Sequence, residues 1–163
     1  MSRSTKYWVV ADTHFGHNEI VGYCGRPLDF GARILRNVSS LVQSRDVLIH
    51  LGDVCIGNDA HHHHTLREHC SGLLWLVRGN HDRKTTTWYL RNGWDWVGDS
   101  MELSMFGHDL IFTHRPLPDT GGRLNIHGHL HNTEHRTAYE DEYHKLILME
   151  HSYCPVDLRR LVS

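Results

Sequence analysis

The chain has 163 residues, 39% of them hydrophobic and 22% charged, with a formal net charge of −2 when histidine is neutral. That length suits one domain with a proper core, taken as residues 1–163, and the composition excludes a disordered chain. The near-neutral balance excludes a global basic field able to hold nucleic acid by counterion release, so the nucleic-acid signal is weak.

Taken in chain order, Tyr7 to Ala11 is an apolar run rich in β-formers that ends at Asp12, as a buried strand does. Asp29 to Ser44 places Ile34, Leu35, Val38, Leu41 and Val42 at helical spacing. Asp46 to Leu51 is a second buried strand, ending at Gly52-Asp53. Asp59 to Cys70 reads as a polar helix. Leu73 to Val77 is a third strand, ending at Arg78-Gly79-Asn80-His81-Asp82, and Thr85 to Asn92 is a short helix closed by Gly93. Met101 to Phe106 and Leu110 to Thr113 form a hairpin around Gly107-His108-Asp109. Leu124 to His127 and Lys145 to Glu150 are expected to be further strands. An order that begins βαβα and ends mainly in strands implies an α/β sandwich with mixed sheets.

Histidines number 17, equal to lysine plus arginine together. Histidine is the commonest metal ligand, so this excess favours a metal site. The run His61–His64 lies on the polar helix, where its members fan around the axis, and is read as a solvated face. The four cysteines are scattered without a Cys-x-x-Cys pair, which excludes a zinc ribbon. No run approaches the roughly 18–20 apolar residues of a membrane span. The start, Met1 to Lys6 leading into Tyr7, carries no cleavage signal, so a soluble, cytoplasmic protein is expected.

Five islands carry chemistry: Asp12-Thr13-His14, Gly52-Asp53, Gly79-Asn80-His81-Asp82, His114 and Gly128-His129-Leu130-His131. Asp12, Asp53, Asn80 and His114 follow directly on strands, and the carboxyl ends of strands are where sites assemble in α/β sheets. Asp12 and His14, two apart on an extended strand end, are expected to point to one side, as are His129 and His131. Gly128 lets the backbone come close. Asp53 has two oxygens and can serve two cations, and Asn80 supplies a neutral carbonyl. Such mixed ligation suits Mn²⁺, Fe, Co²⁺, Ni²⁺ or Zn²⁺ better than Ca²⁺ or Mg²⁺.

In that order the islands resemble the signature of the calcineurin-like metallophosphoesterase superfamily: Asp-x-His, Gly-Asp, Gly-Asn-His-Asp/Glu, His, Gly-His-x-His. The stretch from Asp12 to Asn18, with Arg26-Pro27 after it, looks like the small bacterial and bacteriophage branch. The resemblance implies a four-layered α/β/β/α sandwich with two mixed sheets. It further implies two divalent transition-metal ions, manganese first among them. One would be held by Asp12, His14, Asp53 and His131, the other by Asp53, Asn80, His114 and His129. It implies hydrolysis of a small, nucleotide-like phosphate ester, diester before monoester, by a metal-bridging hydroxide. His81, oriented by Asp82, would assist the leaving group. His17, Arg26 and Arg115 are candidate substrate contacts, set against readings as surface or ion-paired side chains. His127 is expected to be structural. Two alternatives stand beside this reading, a protein phosphatase and a non-catalytic interaction module on the same fold. The first is disfavoured because Gly52-Asp53-Val54-Cys55-Ile56-Gly57-Asn58 lacks the arginine of the Gly-Asp-x-Val-Asp-Arg-Gly motif. The second is disfavoured because every ligand position is retained.

Overall fold

The computed structural model describes residues 4–163; Met1, Ser2 and Arg3, part of the opening segment read for a leader, lie outside the described residues. Strands β1 (Tyr7–Val10), β2 (Val47–His50) and β3 (Leu73–Val77) run parallel, with β4 (Trp96–Gly98) parallel on the outer side of β3. Around them, in chain order, come α1 (Ile20–Cys24), α2 (Phe30–Leu41), α3 (Asp59–His69) and α4 (Thr86–Arg91). A second sheet follows: β5 (Ser100–Met105) antiparallel to β6 (His108–Thr113), then β7 (Leu124–His127) and β8 (His144–Leu146), both parallel to β6 in order. The chain closes with α5 (Met149–Ser152), β9 (Val156–Asp157) and α6 (Leu158–Val162). The first sheet has the order β4-β3-β2-β1-β9, with β9 antiparallel to β1, and the second has the order β5-β6-β7-β8. Both sheets are therefore mixed, and the fold is α/β as expected.

The period-two alternation of the strands builds the layers. Trp8, Val10, Leu48, Leu74 and Leu76 face one way and pack with Ile34 and Val38 of α2 and Leu66 of α3. Val9, Ala11, Val47, Ile49, Leu51 and Val77 face the other way and meet Leu110, Phe112, Ile126 and Ile147 between the sheets. Apolar area removed from water contributes about 25 cal/mol per Å², and here it is removed on both faces of the first sheet. A strand pinned on two faces ends at a defined place, and the polar residues after it inherit that precision.

The hairpin of β5 and β6 turns on Phe106 and Gly107, both at positive φ (56° and 82°), as a two-residue turn with the strands' own twist requires. Thr85 caps α4, its hydroxyl accepting from the Trp88 N–H at 3.2 Å.

Two expectations are corrected. The strand expected over Lys145–Glu150 stops at Leu146, because its neighbour β7 ends at His127, the residue paired with Leu146. After the Ile147 N–H reaches the His127 carbonyl (2.7 Å) no ladder partner remains, and the chain turns into α5. The histidine run is not a uniform solvated face. His61 and His64 are exposed, but His63 is buried (2%) and accepts a hydrogen bond from the Trp94 indole N–H at 2.8 Å. Its position three residues before buried Leu66 puts it on the inward side of α3.

Candidate metal centre

Every island lies just beyond the carboxyl end of a strand: Asp12 after β1, Asp53 after β2, Asn80 after β3, His114 after β6 and His129 after β7. The loops are stitched together by backbone bonds, Asp12 N–H to Gly52 O at 2.9 Å and His14 N–H to Asp53 O at 3.1 Å. Side chains add more. The Asp82 carboxylate accepts from the N–H groups of Asp53 (2.7 Å), Gly79 (2.8 Å) and Val54 (3.2 Å). His50, the one polar residue inside β2, accepts from the Gly52 N–H at 3.1 Å and lies 2.9 Å from the Thr13 hydroxyl, which donates to Val54 O. Since its Nδ1 is an acceptor, its Nε2 carries the proton that goes to Thr13.

The ligands converge, though not for the reason the sequence suggested. Asp12, His14, Asp53, His129 and His131 all adopt left-handed backbone, with φ of 50°, 48°, 56°, 72° and 49°. They are not on extended strand ends at all. Non-glycine residues there cost of order 1–3 kcal/mol each and cluster at functional sites where the surroundings impose them. Close backbone approach is imposed by glycine. A Cβ on Gly128 would stand 2.5 Å from Asp12 Oδ2 and 2.6 Å from Ala11 Cβ, and one on Gly79 would run into the Asp53 carboxylate.

Among the described residues three groups of side chains could hold a cation: Asp12, His14 and His131 in a first, Asp53, His114 and His129 in a second, and Cys24 and Glu150 with the same His131 in another. Only the first two are built from the sequence-predicted ligands alone. Within the first, Asp12 Oδ1 is 3.9 Å from His14 Nε2 and 3.8 Å from His131 Nε2. Within the second, His114 Nε2 is 3.4 Å from Asp53 Oδ2, 3.1 Å from His129 Nδ1 and 3.1 Å from Asn80 Oδ1. Asp53 links the groups, its Oδ2 also lying 3.8 Å from His14 Nε2. A cation roughly 2.0–2.2 Å from each donor leaves the donors about 3–4 Å apart, so these spacings fit divalent ions. Asp12 Oδ1 and His14 Nε2 are also buried without a hydrogen-bond partner. An unpaired buried polar atom costs about 1–3 kcal/mol, and a cation shared between the two would satisfy both.

The electrostatics agree. Burial pushes the Asp12 carboxyl up to about 6, and pushes His14 down to about 3 and His129 down to about 4. Burial also opposes the charged forms of Asp53 and His114. Their mutual attraction outweighs it, so Asp53 lies below and His114 above its ordinary range. Neutral His14 and His129 beside carboxylates are ready donors for a cation, whereas His114 and His131, raised against burial by Asp53 and by Glu150, would give up any bound proton to it.

His81 stands at the mouth, its side chain 36% exposed, its N–H donating to Asp53 Oδ1 at 2.9 Å and its Nε2 3.8 Å from Asp53 Oδ2. His17 lies beside it, with Nδ1 3.3 Å from His14 Nδ1 and its ring 6.3 Å from the exposed Tyr23. Arg115 is exposed and donates to Asn80 Oδ1 at 3.4 Å. Two expectations change here. The Asp82 carboxylate is occupied by three backbone N–H groups and fastens the loops instead of orienting the His81 ring. Arg26 is not an exposed contact but is buried, its guanidinium committed to Glu150 and to the carbonyls of Asp12 and Thr13 as an internal brace. His127 is buried and its Nδ1 faces its neighbour Gly128 O, in keeping with a structural place. Sequence reasoning missed His50 and Glu150. A histidine inside an apolar strand was a signal for the first; no local pattern marked the second.

Comparison with known proteins places this architecture. The profile of the calcineurin-like phosphoesterases matches residues 5–158. An uncharacterized protein of Methanocaldococcus jannaschii is 27% identical over 144 residues, which is 85% of this chain and 73% of that protein. A protein of unknown function from Aquifex aeolicus superposes with a TM-score of 0.80 at 24% identity, covering 97% of this chain and 98% of its own. An archaeal phosphodiesterase gives a TM-score of 0.52 at 16% identity, over 88% of this chain and 82% of that one. A Pseudomonas putida nuclease gives 0.51 at 24% identity, over 77% of this chain and 61% of the nuclease.

Proposed function

The chain belongs to the calcineurin-like phosphoesterase family, and from that premise we propose that residues 1–163 act as one catalytic domain hydrolysing phosphodiesters of nucleotide or cyclic-nucleotide type, and phosphomonoesters more slowly. The observation that carries this reading is the pair of donor groups sharing Asp53, with two orphaned buried atoms in the first. Asp12, His14, Asp53 and His131 would hold one divalent transition metal, and Asp53, Asn80, His114 and His129 the other, with Mn²⁺ favoured over Fe, Co²⁺, Ni²⁺ and Zn²⁺. A pair of such ions supplies Lewis acidity and a water acidified to roughly pKa 7.

The chain's own residues do the rest. His81, fixed through its backbone to Asp53 yet open to solvent, gives a proton from its ring to the leaving alkoxide oxygen. A positioned imidazole contributes about 10²–10⁴-fold. Arg115, beside Asn80, grips a non-bridging phosphoryl oxygen. Beside His81, His17 meets the ester's organic part, and the exposed ring of Tyr23 next to it supports an aromatic base. The low net charge and the absence of a helix long and apolar enough to cross a membrane among the described residues fit a small substrate taken from solution.

Metal analysis together with hydrolysis of bis-p-nitrophenyl phosphate and p-nitrophenyl phosphate in Mn²⁺ tests the reading. A panel of nucleotides, 2′,3′-cyclic nucleotides and a single-stranded oligonucleotide refines it; the oligonucleotide is included because a fold neighbour is a nuclease. Two bound metals with no activity on either aryl ester would favour the interaction module.

A further inference from the structure

Glu150 and Arg26 lie 124 positions apart, and their pairing is unexplained by catalysis as described. The Arg26 side chain is fully buried and that of Glu150 is 6% exposed. Arg26 Nε donates to Glu150 Oε1 at 2.8 Å. The same guanidinium donates to Asp12 O at 2.8 Å and Thr13 O at 3.1 Å, and it stacks 5.1 Å over the Phe30 ring. Glu150 Oε1 in turn lies 3.1 Å from His131 Nδ1. One guanidinium and one carboxylate thus touch both arms of the first donor group, the left-handed Asp12-Thr13 turn and His131.

Hydrogen-bond chemistry gives this a direction. A carboxylate can only accept, so His131 Nδ1 carries the proton and donates it to Glu150. That leaves the lone pair on Nε2, the nitrogen 3.8 Å from Asp12 Oδ1. A charged acceptor behind a ligating imidazole fixes its tautomer and raises its basicity. His114 in the second group has only a neutral one, donating from Nδ1 to the Leu51 carbonyl at 2.7 Å. The two groups are built on different principles.

We infer that Glu150 and Arg26 are positioning residues for the first metal: Glu150 holds His131 in its ligating tautomer, and Arg26 holds Glu150 against the turn that presents Asp12 and His14. This rests on the proposed ligand role of His131. Isolated burial of Glu150 would leave a charge uncompensated, and the Arg26 ion pair prevents that. The short helix α5, which brings Glu150 to the site, acquires a purpose beyond packing.

The test uses Co²⁺ as probe, followed by equilibrium dialysis and by its visible absorption, on metal-free full-length protein. A His129→Ala background isolates the first group, and a His131→Ala background isolates the second. In the first background Glu150→Gln is expected to weaken Co²⁺ binding about 10–100-fold, while in the second it changes binding less than twofold. A lone substitution leaves Arg26 buried and unpaired, so the double variant Arg26→Met, Glu150→Leu is measured as well; exchanging a buried ion pair for apolar residues is often tolerated. If that double variant folds and binds Co²⁺ at the first group as tightly as its parent, the positioning role is wrong. Equal weakening of both groups would likewise overturn it, as a general structural effect. Failure of the unsubstituted chain to take up Co²⁺ at all would remove the metal reading and this pair together, a distinct result.

Discussion

Protonation of His63 should cost this protein stability in mild acid, and the cost can be isolated. The ring sits against Trp88, Tyr89 and Trp94, and its Nδ1 accepts from the Trp94 indole. A second proton would need that acceptor site and place a charge among aromatic rings. Burial accordingly pushes its pKa down to about 4 from 6.5. The unfolded chain binds a proton near 6.5 and the folded chain near 4, so the unfolded state holds more protons between them. Stability is therefore full above 6.5 and falls as pH drops toward 4, by about 3 kcal/mol over the whole window and about 2 kcal/mol between pH 7 and pH 5. His63→Gln keeps an acceptor for the indole and cannot titrate. Urea unfolding of the metal-free proteins at pH 7 and pH 5 gives four free energies. Buried His14, His127 and His129 are depressed in both proteins, and their contributions cancel in the comparison; His50 is held down by burial first and by charge on His63 second, and only that second effect is lost in the variant. The unsubstituted chain should lose about 2 kcal/mol more than the variant. Parallel losses would refute the argument that protonation of His63 is what costs stability.

His81→Ala should retain both metals while turnover falls about 10²–10⁴-fold; loss of metal in step with activity, read by elemental analysis, would count against a proton-donating role. Gly128→Ala forces a Cβ onto Asp12 Oδ2 and Ala11 Cβ. It should destabilise by about 1–3 kcal/mol and lower metal occupancy of the first group, so normal occupancy would show that the loop yields freely. Asp82→Asn sets an amide N–H₂ against backbone donors at one of the two carboxylate oxygens. It should cost about 1–3 kcal/mol in unfolding free energy without direct loss of a ligand, and a change under 0.5 kcal/mol (roughly the surface-substitution range) would contradict the fastening role. Chelation should lower the melting temperature, and Mn²⁺ at about 100 times its dissociation constant should restore about 2.7 kcal/mol; a melting point indifferent to Mn²⁺ would speak against binding to the folded state.

The three strands β1, β2 and β3 were legible because buried strands write themselves as short apolar runs, and the polar residue after each run marks where burial ends. The donor types were legible for the same reason: Asp12, Asp53, Asn80 and His114 each interrupt that pattern. The hairpin around Gly107 was equally local. The short elements β4, β9, α1, α5 and α6 were not, since two to five residues carry no period and form only against neighbours already in place. His63 was misread because four consecutive histidines look polar in sequence, while the helix's own rotation turns one of them into the aromatic core. Convergence of the ligands came from left-handed turns at Asp12, His14, Asp53, His129 and His131, which an extended-strand argument could not supply. Arg26 and Glu150 make the general point. Nothing local distinguishes either from a surface charge, and only the packing of α5 beside the Asp12 turn removes both from water, so that each must find the other. Identity and order of the reactive residues were properties of the sequence alone; backbone handedness, proton placement and the choice between substrate contact and internal brace were decided by tertiary packing, because burial sets which polar atoms must be paired and with what.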